Sequence, residues 1–249
     1  MDDESGTGLP ASIEAAWGLR TRPAKGPKPG LSLERIVEAG VKVAVSGGLG
    51  AVSMSRVAAE LGASTMSLYR YVAAKDELLA LMMDAALGPP PDDIVPDGGW
   101  RAGLSRWAWA ERALLRQHTW VLHVPLTAPP ATPNQIAWLE RALRCMRGTG
   151  LTEGEKISVV ILITSFVWRE STIFADLTES YRKAGSPMQD PTAGYGRMLA
   201  KLIDPQQFPA LTDVINSGVF DQPDDPDTEF AFGLERILDG VESLIRSRT

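Results

Sequence analysis

Cysteine and histidine are scarce in this sequence, and their scarcity excludes several kinds of site. The 249 residues include one cysteine, Cys145, and two histidines, His118 and His123. A single cysteine cannot form an internal disulfide, and these three residues do not have the spacing of a zinc site. We therefore expect no metal ion, no cofactor and a reducing cytoplasmic location.

Long apolar runs and catalytic motifs are also missing. No uncharged apolar run reaches the ~20 residues that cross a bilayer, and the acidic start MDDESGTG does not resemble a signal peptide. The chain lacks a phosphate-binding glycine loop, a dinucleotide fingerprint and a nucleophile elbow. Its acidic residues mostly lie at predicted helix ends or on polar faces. We therefore expect a protein that is not an enzyme and has no catalytic residues.

Positive charge is scarce overall but unevenly distributed. The net charge is −6, yet residues 20–88 carry nine Lys and Arg against six Asp and Glu. Residues 89–249 carry sixteen Lys and Arg against twenty-one acidic residues. A basic segment inside an acidic chain is typical of a local nucleic-acid contact, because phosphates attract the basic part while the acidic remainder discourages non-specific binding.

Residues 53–75, SMSRVAAELGASTMSLYRYVAAK, predict two short helices joined by a tight corner. Ser53 and Ser64 are suitable N-cap residues, and Gly62 can end the first helix in a left-handed conformation. Two helices joined in this way form a helix-turn-helix, whose second helix enters the major groove of DNA. An ordinary helical corner is the alternative. The outward side chains of the second helix offer hydroxyls, rings and a cation without a carboxylate: Thr65, Ser67, Tyr69, Arg70 and Tyr71.

This stretch resembles the TetR family of bacterial transcriptional repressors. The resemblance includes AAELGAS, SLYRYV and Lys75 with its following helix DELLALMM, within about residues 31–87. From Trp100 onward, TPNQIAWLERAL and FGLERILDGVESLI resemble the regulatory domain of the tetracycline-responsive members. The chain departs from those members at Met66, where a proline would stand, and at Tyr71, where a histidine would stand. Its operator therefore cannot be inferred from theirs.

The resemblance implies an all-α protein with three parts. Residues 1–30 are expected to be a flexible basic arm, 31–88 a three-helix helix-turn-helix domain with a connector helix, and 89–249 a helical bundle for effector binding and dimerisation. Within the arm, residues 12–19 could form a short helix with Ile13, Ala16 and Trp17 on one side.

The expected DNA contacts fall into three groups. Arg20 and Arg22 of the arm would enter the minor groove, or else belong to a leader whose charges only maintain solubility. Thr65, Met66 and Ser67 lie nearest the base edges, together with Tyr69 and Tyr71. The remaining residues would fix the register through phosphates: Ser53, Ser55, Arg56, Ser64 and, from the family resemblance, Lys75.

Two late helices are expected to form the dimer interface. Residues 153–181 are apolar on nearly every side over three turns, so other helices must cover them. Residues 228–247 carry apolar residues at helical spacing, with Gly233 and Gly240 on one stripe where a neighbouring helix can approach. The TetR resemblance implies a homodimer formed by a four-helix bundle of these two segments.

Tryptophans in the C-terminal part suggest a site for a small apolar or aromatic effector. Helical bundles bind ligands between facing helices, with aromatic walls and a few polar groups. The candidates are Trp107, Trp120, Trp138 and Trp168, with His123 and Glu170 as polar groups. Core packing explains each tryptophan separately, and Glu170 could instead pair with Arg169 or lie at the solvated end of the bundle.

The sequence therefore predicts a dimeric repressor that a small effector releases from a palindromic operator. Two alternatives remain open: a helical ligand-binding protein or enzyme without DNA binding, and a ligand-independent activator with the same fold.

Overall fold

The computed structural model describes residues 7–19, 30–95, 97–184, 191–221 and 226–248. These residues form helices and connecting turns without a β-strand, which confirms the predicted all-α class. Arg20 and Arg22 lie outside the described residues. The helices are α1 (Ala11–Ala16), α2 (Leu33–Gly47), α3 (Met54–Glu60), α4 (Thr65–Tyr69), α5 (Lys75–Leu87), α6 (Gly99–Gln117), α7 (Pro133–Cys145), α8 (Glu153–Ala184), α9 (Pro191–Leu202), α10 (Pro209–Asn216) and α11 (Pro226–Arg246).

Internal packing divides the chain into two compact units, residues 1–171 with 241–249 and residues 172–240. The first unit contains α1 to α7, the first part of α8 and the end of α11. The second contains α9 and α10, where Tyr195 meets Phe220 edge to face with ring centroids 5.6 Å apart. The sequence analysis did not predict α9 and α10.

A small core holds α2, α3, α4 and α5 together at the N-terminal end of the first unit. Its largest fully buried side chains include Ile36, Leu68 and Leu78. Helix α2 crosses α5 closely at Gly40, where an added Cβ would lie 2.6 Å from Met82 Sδ. This close approach accounts for the methionines of α5, because flexible thioethers fill irregular gaps.

A buried carboxylate of α5 forms hydrogen bonds to the N-terminus of α7. Asp84 Oδ1 accepts hydrogen bonds from the backbone N–H groups of Asn134 and Gln135, at 2.8 and 3.1 Å. These donors are at the N-terminus of α7, where helical N–H groups have no partner in their own helix and the dipole favours a negative charge. The side chain that caps α7 therefore comes from another helix.

Two tryptophans complete the junction between α5, α6 and α7. Trp107 Nε1 donates to the backbone oxygen of Trp138, and Trp138 Nε1 donates to that of Gly88, both at 3.0 Å. Their rings meet edge to face at 6.3 Å. Helices α6 and α7 also approach closely at Gly103, where a Cβ would lie 2.6 Å from Cys145 Sγ.

The short helix expected within the N-terminal arm forms as α1 and packs onto α5. Ile13 is buried, Ser12 Oγ donates to Glu77 Oε2 at 2.6 Å, and Trp17 Nε1 donates to the Ala131 oxygen at 2.7 Å. Residues 11–16 are therefore packed rather than part of a flexible arm, because Ile13 finds an apolar surface on α5.

Replacing Asp84 tests the cap on α7. Asp84→Ala is expected to lower the free energy of unfolding by about 2 kcal/mol, because two helical N–H groups lose their acceptor. Asp84→Asn should lower it less, since its amide oxygen still accepts a hydrogen bond. Denaturant titration followed by circular dichroism measures both. Asp93→Ala, on an exposed loop, is the control, and an equal loss in that variant would contradict the assignment.

Candidate functional site

Serine caps define the two helices of the predicted corner. Ser53 Oγ accepts from the Arg56 N–H and Ser64 Oγ accepts from the Ser67 N–H, each at 3.2 Å. Gly62 turns the chain between them at φ +63°, a conformation that a side chain would strain. Both caps and the glycine turn agree with the sequence prediction.

The buried side chains of α4 and of the residues after it determine which side of this helix faces solvent. Leu68 and Val72 are buried in the core, so the opposite side of this short helix faces solvent. Met66 is 74% exposed and Tyr69 is 45% exposed, while Thr65 and Ser67 are half-buried. Helix α4 contains no acidic residue, so this face is compatible with a phosphate-rich partner.

Polar residues surround this face on neighbouring elements. Ser53, Ser55 and Arg56 are exposed at the start of α3, and Lys75 is exposed at the start of α5. The carboxylate of Glu60, on α3, bonds to Lys42, which holds the pKa of Glu60 below its usual value. The described surface around α4 therefore places hydroxyls and cations where a DNA backbone could run.

Tyr71 does not belong to the outward face. Its hydroxyl donates to the backbone oxygen of Leu31 at 2.8 Å, and the side chain is half-buried. Helix α4 ends at Tyr69, so the following residues turn back toward the start of α2. The geometry of Tyr71 therefore does not support the expectation that its side chain projects into DNA.

The predicted effector residues have different surroundings in the structure. Trp107 and Trp138 use their N–H groups to join helices, as described above, and His123 is exposed. Trp120 is buried, and its Nε1 finds no hydrogen-bond partner among the described residues. Trp168 Nε1 donates to Glu111 Oε1 at 3.0 Å.

Glu170 is held in an ionic cluster on α6 and α8. Arg112 donates to both of its oxygens, from Nε at 3.1 Å and from a terminal nitrogen at 3.0 Å. Arg116 donates to Glu170 Oε1 at 3.1 Å. Because Arg112 is almost fully buried, this bidentate pair fixes α8 to α6. Glu170 thus pairs with Arg112 and Arg116, whereas Arg169 was the partner considered from the sequence.

Glu111 is the functional candidate that sequence reasoning missed. Its side chain is buried on α6 with 7% exposure, and Oε2 has no hydrogen-bond partner among the described residues. An unpaired buried polar group costs about 1–3 kcal/mol, so such groups are rare and need an explanation. The available signal was its position four residues after Trp107, on the same face of an amphipathic helix.

Burial raises the pKa of Glu111 to about 8, and the hydrogen bond from Trp168 opposes that rise only in part. At neutral pH the folded protein therefore holds a proton on this carboxyl, whereas the unfolded chain releases it near pH 4.5. Between about pH 4.5 and pH 8, the protein therefore takes up a proton when it folds. The pH-dependent part of the cost of burying Glu111 is therefore absent below about pH 4.5 and grows as the pH rises to about 8.

A separate apolar cavity of about 220 Å³ lies between α1, α5 and residues 124–132. Its lining includes Ile13, Leu79, Met83 and Val124. None of the six predicted effector residues lines it. The cavity is therefore a different place from the predicted effector residues.

The titration of Glu111 can be checked by exchanging it for an uncharged isostere. Glu111→Gln should raise the unfolding temperature relative to the unsubstituted protein at about pH 8.5, and by clearly less at about pH 5, because only the carboxyl must ionise on unfolding. Thermal unfolding at both pH values measures the difference. Glu140→Gln, on the exposed side of α7, should show no such pH dependence. A constant difference for Glu111→Gln would contradict the buried proton.

Comparison with known families matches both halves of the chain. Residues 36–82 match the family described as "Bacterial regulatory proteins, tetR family". Residues 91–245 match "Tetracyclin repressor-like, C-terminal domain". The first match contains α3, α4 and most of α5, and the second extends from the loop before α6 into α11.

Individual proteins agree with these matches. The chain is 39% identical to the HTH-type transcriptional repressor DrrR1 of Streptomyces coeruleorubidus, over 99% of this chain and 90% of that protein. It resembles the solved structure of apo ActR from Streptomyces coelicolor with a TM-score of 0.72 and 26% identity, over 90% of this chain and all of that one. ActR in complex with actinorhodin aligns with a TM-score of 0.68 and 26% identity, over 88% and 99% of the two chains. Together with the capped helix-turn-helix, these matches show that the chain belongs to the TetR family and is a DNA-binding transcriptional repressor.

Proposed function

We propose that this repressor binds a palindromic operator as a homodimer and releases it when a small aromatic effector binds. The observation that carries the DNA-binding part is the outward face of α4. That face presents Met66 and Tyr69 to solvent with Thr65 and Ser67 at its edge, and α4 has no carboxylate.

Helix α4 would lie in the major groove with its N-terminal residues on the base edges. Thr65, Met66 and Ser67 would read bases, with Tyr69 beside them. Ser53, Ser55, Arg56, Ser64 and Lys75 would fix the register on phosphates. In a dimer, two such helices would contact half-sites about 34–36 Å apart. Arg20 and Arg22, ahead of α2, would follow the adjacent minor groove.

The dimer interface is proposed on α8 and α11. Ile157, Ile161 and Leu162 of α8 are exposed, and an apolar group of this kind on a soluble protein marks an interaction surface. On α11, an added Cβ at Gly240 would meet no atom of another described segment within 4 Å, which leaves room for a helix of a second subunit.

By length and composition alone α8 could cross a membrane. Residues 153–183 reach a mean hydropathy of 1.5 in their most apolar window, only 28% of which is buried. The Arg112–Glu170 pair opposes that interpretation, since it ties α8 to α6 inside the folded protein. A second subunit covering the exposed apolar side explains the composition better. We propose that the repressor acts in the cytoplasm.

Two contacts could carry effector binding to the DNA-contacting helices. Asp84 joins α5 to the N-terminus of α7, and the short 3-10 turn Leu49–Ala51, just before α3, packs against a similar turn, Thr119–His123. A tenfold loss of operator affinity needs only ~1.4 kcal/mol of difference between two states. The relative ActR has been solved with actinorhodin and with (S)-DNPA, which supports a small-molecule effector here. Binding of the effector would be enough to release the operator, and the proposal requires no catalytic activity.

Selection of bound fragments from genomic or random DNA tests the proposed function. We expect enrichment of a two-fold symmetric sequence. Absence of any sequence enrichment by folded protein at low salt would favour a helical ligand-binding protein. Titration of small molecules against the resulting complex separates a ligand-released repressor from a ligand-independent regulator.

Tyr69 provides the test of the α4 face. Tyr69→Ala should weaken operator binding about tenfold or more while the protein remains folded, because the side chain points outward and makes little core contact. Tyr69→Phe separates the ring from the hydroxyl. Gel-shift titration measures affinity, and Leu126→Ala, at another exposed apolar position, is the control. Unchanged affinity in Tyr69→Ala would remove this residue from the interface.

Ile161 provides the test of the dimer. Ile161→Glu should convert the protein to monomers and lower operator affinity, since a buried unpaired carboxylate opposes association. Leu126→Glu makes the same exchange at a position that is 77% exposed and lies on a loop. Analytical ultracentrifugation measures the mass of both variants. A dimeric Ile161→Glu protein would show that this part of α8 lies outside the interface.

A further inference from the structure

We propose that Glu111 and Trp120 form the polar subsite of the effector, next to Trp168, and that this subsite selects an uncharged aromatic ligand bearing a carbonyl oxygen. This inference rests on the proposed function, which places a small-molecule effector in this domain. It adds the chemistry by which the ligand is recognised.

Helix geometry brings the first elements of the subsite together. With 3.6 residues per turn, positions 107 and 111 of α6 lie on one face within about 40° of each other. His118, which closes α6, is followed at once by the turn that carries Trp120. Trp168 reaches the same face from α8, because its Nε1 bonds to Glu111 Oε1 at 3.0 Å.

Polar atoms with open hydrogen-bond positions are concentrated here. Glu111 Oε2, His118 Nδ1 and Trp120 Nε1 are each buried without a hydrogen-bond partner among the described residues. Buried polar atoms are normally paired, so these three side chains form an exception. A bound molecule could satisfy them, whereas no described side chain does.

The arginines next to Glu111 in α6 form ion pairs with a different carboxylate. Arg112 and Arg116 both bond to Glu170, so Glu111 lacks an ion-pair partner among the described residues. Burial therefore keeps its carboxyl protonated at neutral pH. Since Oε1 already accepts from Trp168, the proton is best placed on Oε2, which then acts as a donor.

At neutral pH two of these open positions are therefore hydrogen-bond donors. The protonated Glu111 Oε2 is one, and Trp120 Nε1, which has no acceptor capacity, is the other. A ligand that satisfies them must offer acceptor oxygens, as a ketone or quinone does. A ligand that offers only donors, such as an ammonium group, would instead leave the Trp120 N–H unpaired. The indole rings of Trp120 and Trp168 favour a flat aromatic body.

Trp120 also gives the subsite a connection to the DNA-contacting helices. Its turn, Thr119–His123, packs against Leu49–Ala51, which directly precedes α3. Because Trp120 is buried, a ligand that bonds to its Nε1 must rearrange the local packing. A ligand that does so would favour a second arrangement of this contact.

Ligand titration of the full-length protein tests the assignment. The probes are 2-(hydroxymethyl)anthraquinone, which is flat, uncharged and carries carbonyl oxygens, and 9-aminoacridine, a flat cation without a carbonyl. Isothermal titration calorimetry gives the affinity of each for the unsubstituted protein and for Glu111→Leu, Glu111→Gln, Trp120→Phe and Glu140→Leu. Thermal unfolding verifies that each variant is folded.

We expect the anthraquinone to bind more tightly than the acridine. Glu111→Leu should lose about tenfold in anthraquinone affinity, while Glu111→Gln, which keeps an N–H donor, should stay within about threefold. Trp120→Phe should weaken binding severalfold, and Glu140→Leu, at an exposed position of α7, should not change it. Rescue by Gln distinguishes recognition from a merely structural role of Glu111.

Three results would overturn the assignment: no anthraquinone binding by the unsubstituted protein, tighter binding of the acridine, or full affinity in Glu111→Leu. Gel shifts with the selected operator on the same samples keep the two proposals separate. Operator binding that another ligand releases would leave the proposed function intact and reject only this subsite. Failure to bind any operator would reject the proposed function itself.

Discussion

The hydrogen bonds of the Asp84 carboxylate are the interaction on which the attachment of α7 to α5 depends. This carboxylate lies near the end of α5, whose beginning belongs to the core that positions α4, and it supplies the N-terminal cap of α7. A capped helix end and a buried carboxylate are both costly to leave unpaired. Helix α7 therefore cannot move away from α5 without losing these bonds. A movement of α7 that keeps the cap must therefore also move the end of α5.

Buried polar groups in the first unit serve two different purposes. Arg112, Arg116 and Glu170 satisfy one another and fix α8 to α6. Glu111, one residue before Arg112, remains outside that network, and its Oε2 has no hydrogen-bond partner in the described part of the chain. A satisfied network rigidifies a bundle, whereas an unsatisfied group lowers its stability. Local violations of polar pairing are expected mainly at functional sites, where recognition compensates for the cost.

The sequence predicted most of the N-terminal head because its signals are local. Ser53, Gly62 and Ser64 act within a few residues of themselves, and so their caps and turn are found where they were expected. Helices α8 and α11 differ from their predicted bounds by three residues or fewer. Helices α9 and α10 were not predicted, although each begins at a proline, a residue that is common at the first position of a helix.

The roles of individual side chains could not be predicted in the same way. Tyr71 bonds to a carbonyl 40 residues away, and Asp84 caps a helix 50 residues further along the chain. Residue type also did not distinguish the roles of the tryptophans. Trp107 and Trp138 join helices, whereas the Trp120 N–H has no acceptor among the residues that the structure describes. Only the packed structure shows which polar atoms have partners.

The sequence by itself therefore determined the helical class and the helix-turn-helix, because caps, glycine turns and helical periodicity act over a few residues. The family followed from the resemblance of its motifs to the TetR family. The tertiary structure decided which hydroxyls face outward, what caps α7 and which buried carboxyl remains unpaired. Those outcomes depend on contacts between segments that are far apart in the chain, and the order of residues does not specify such contacts locally.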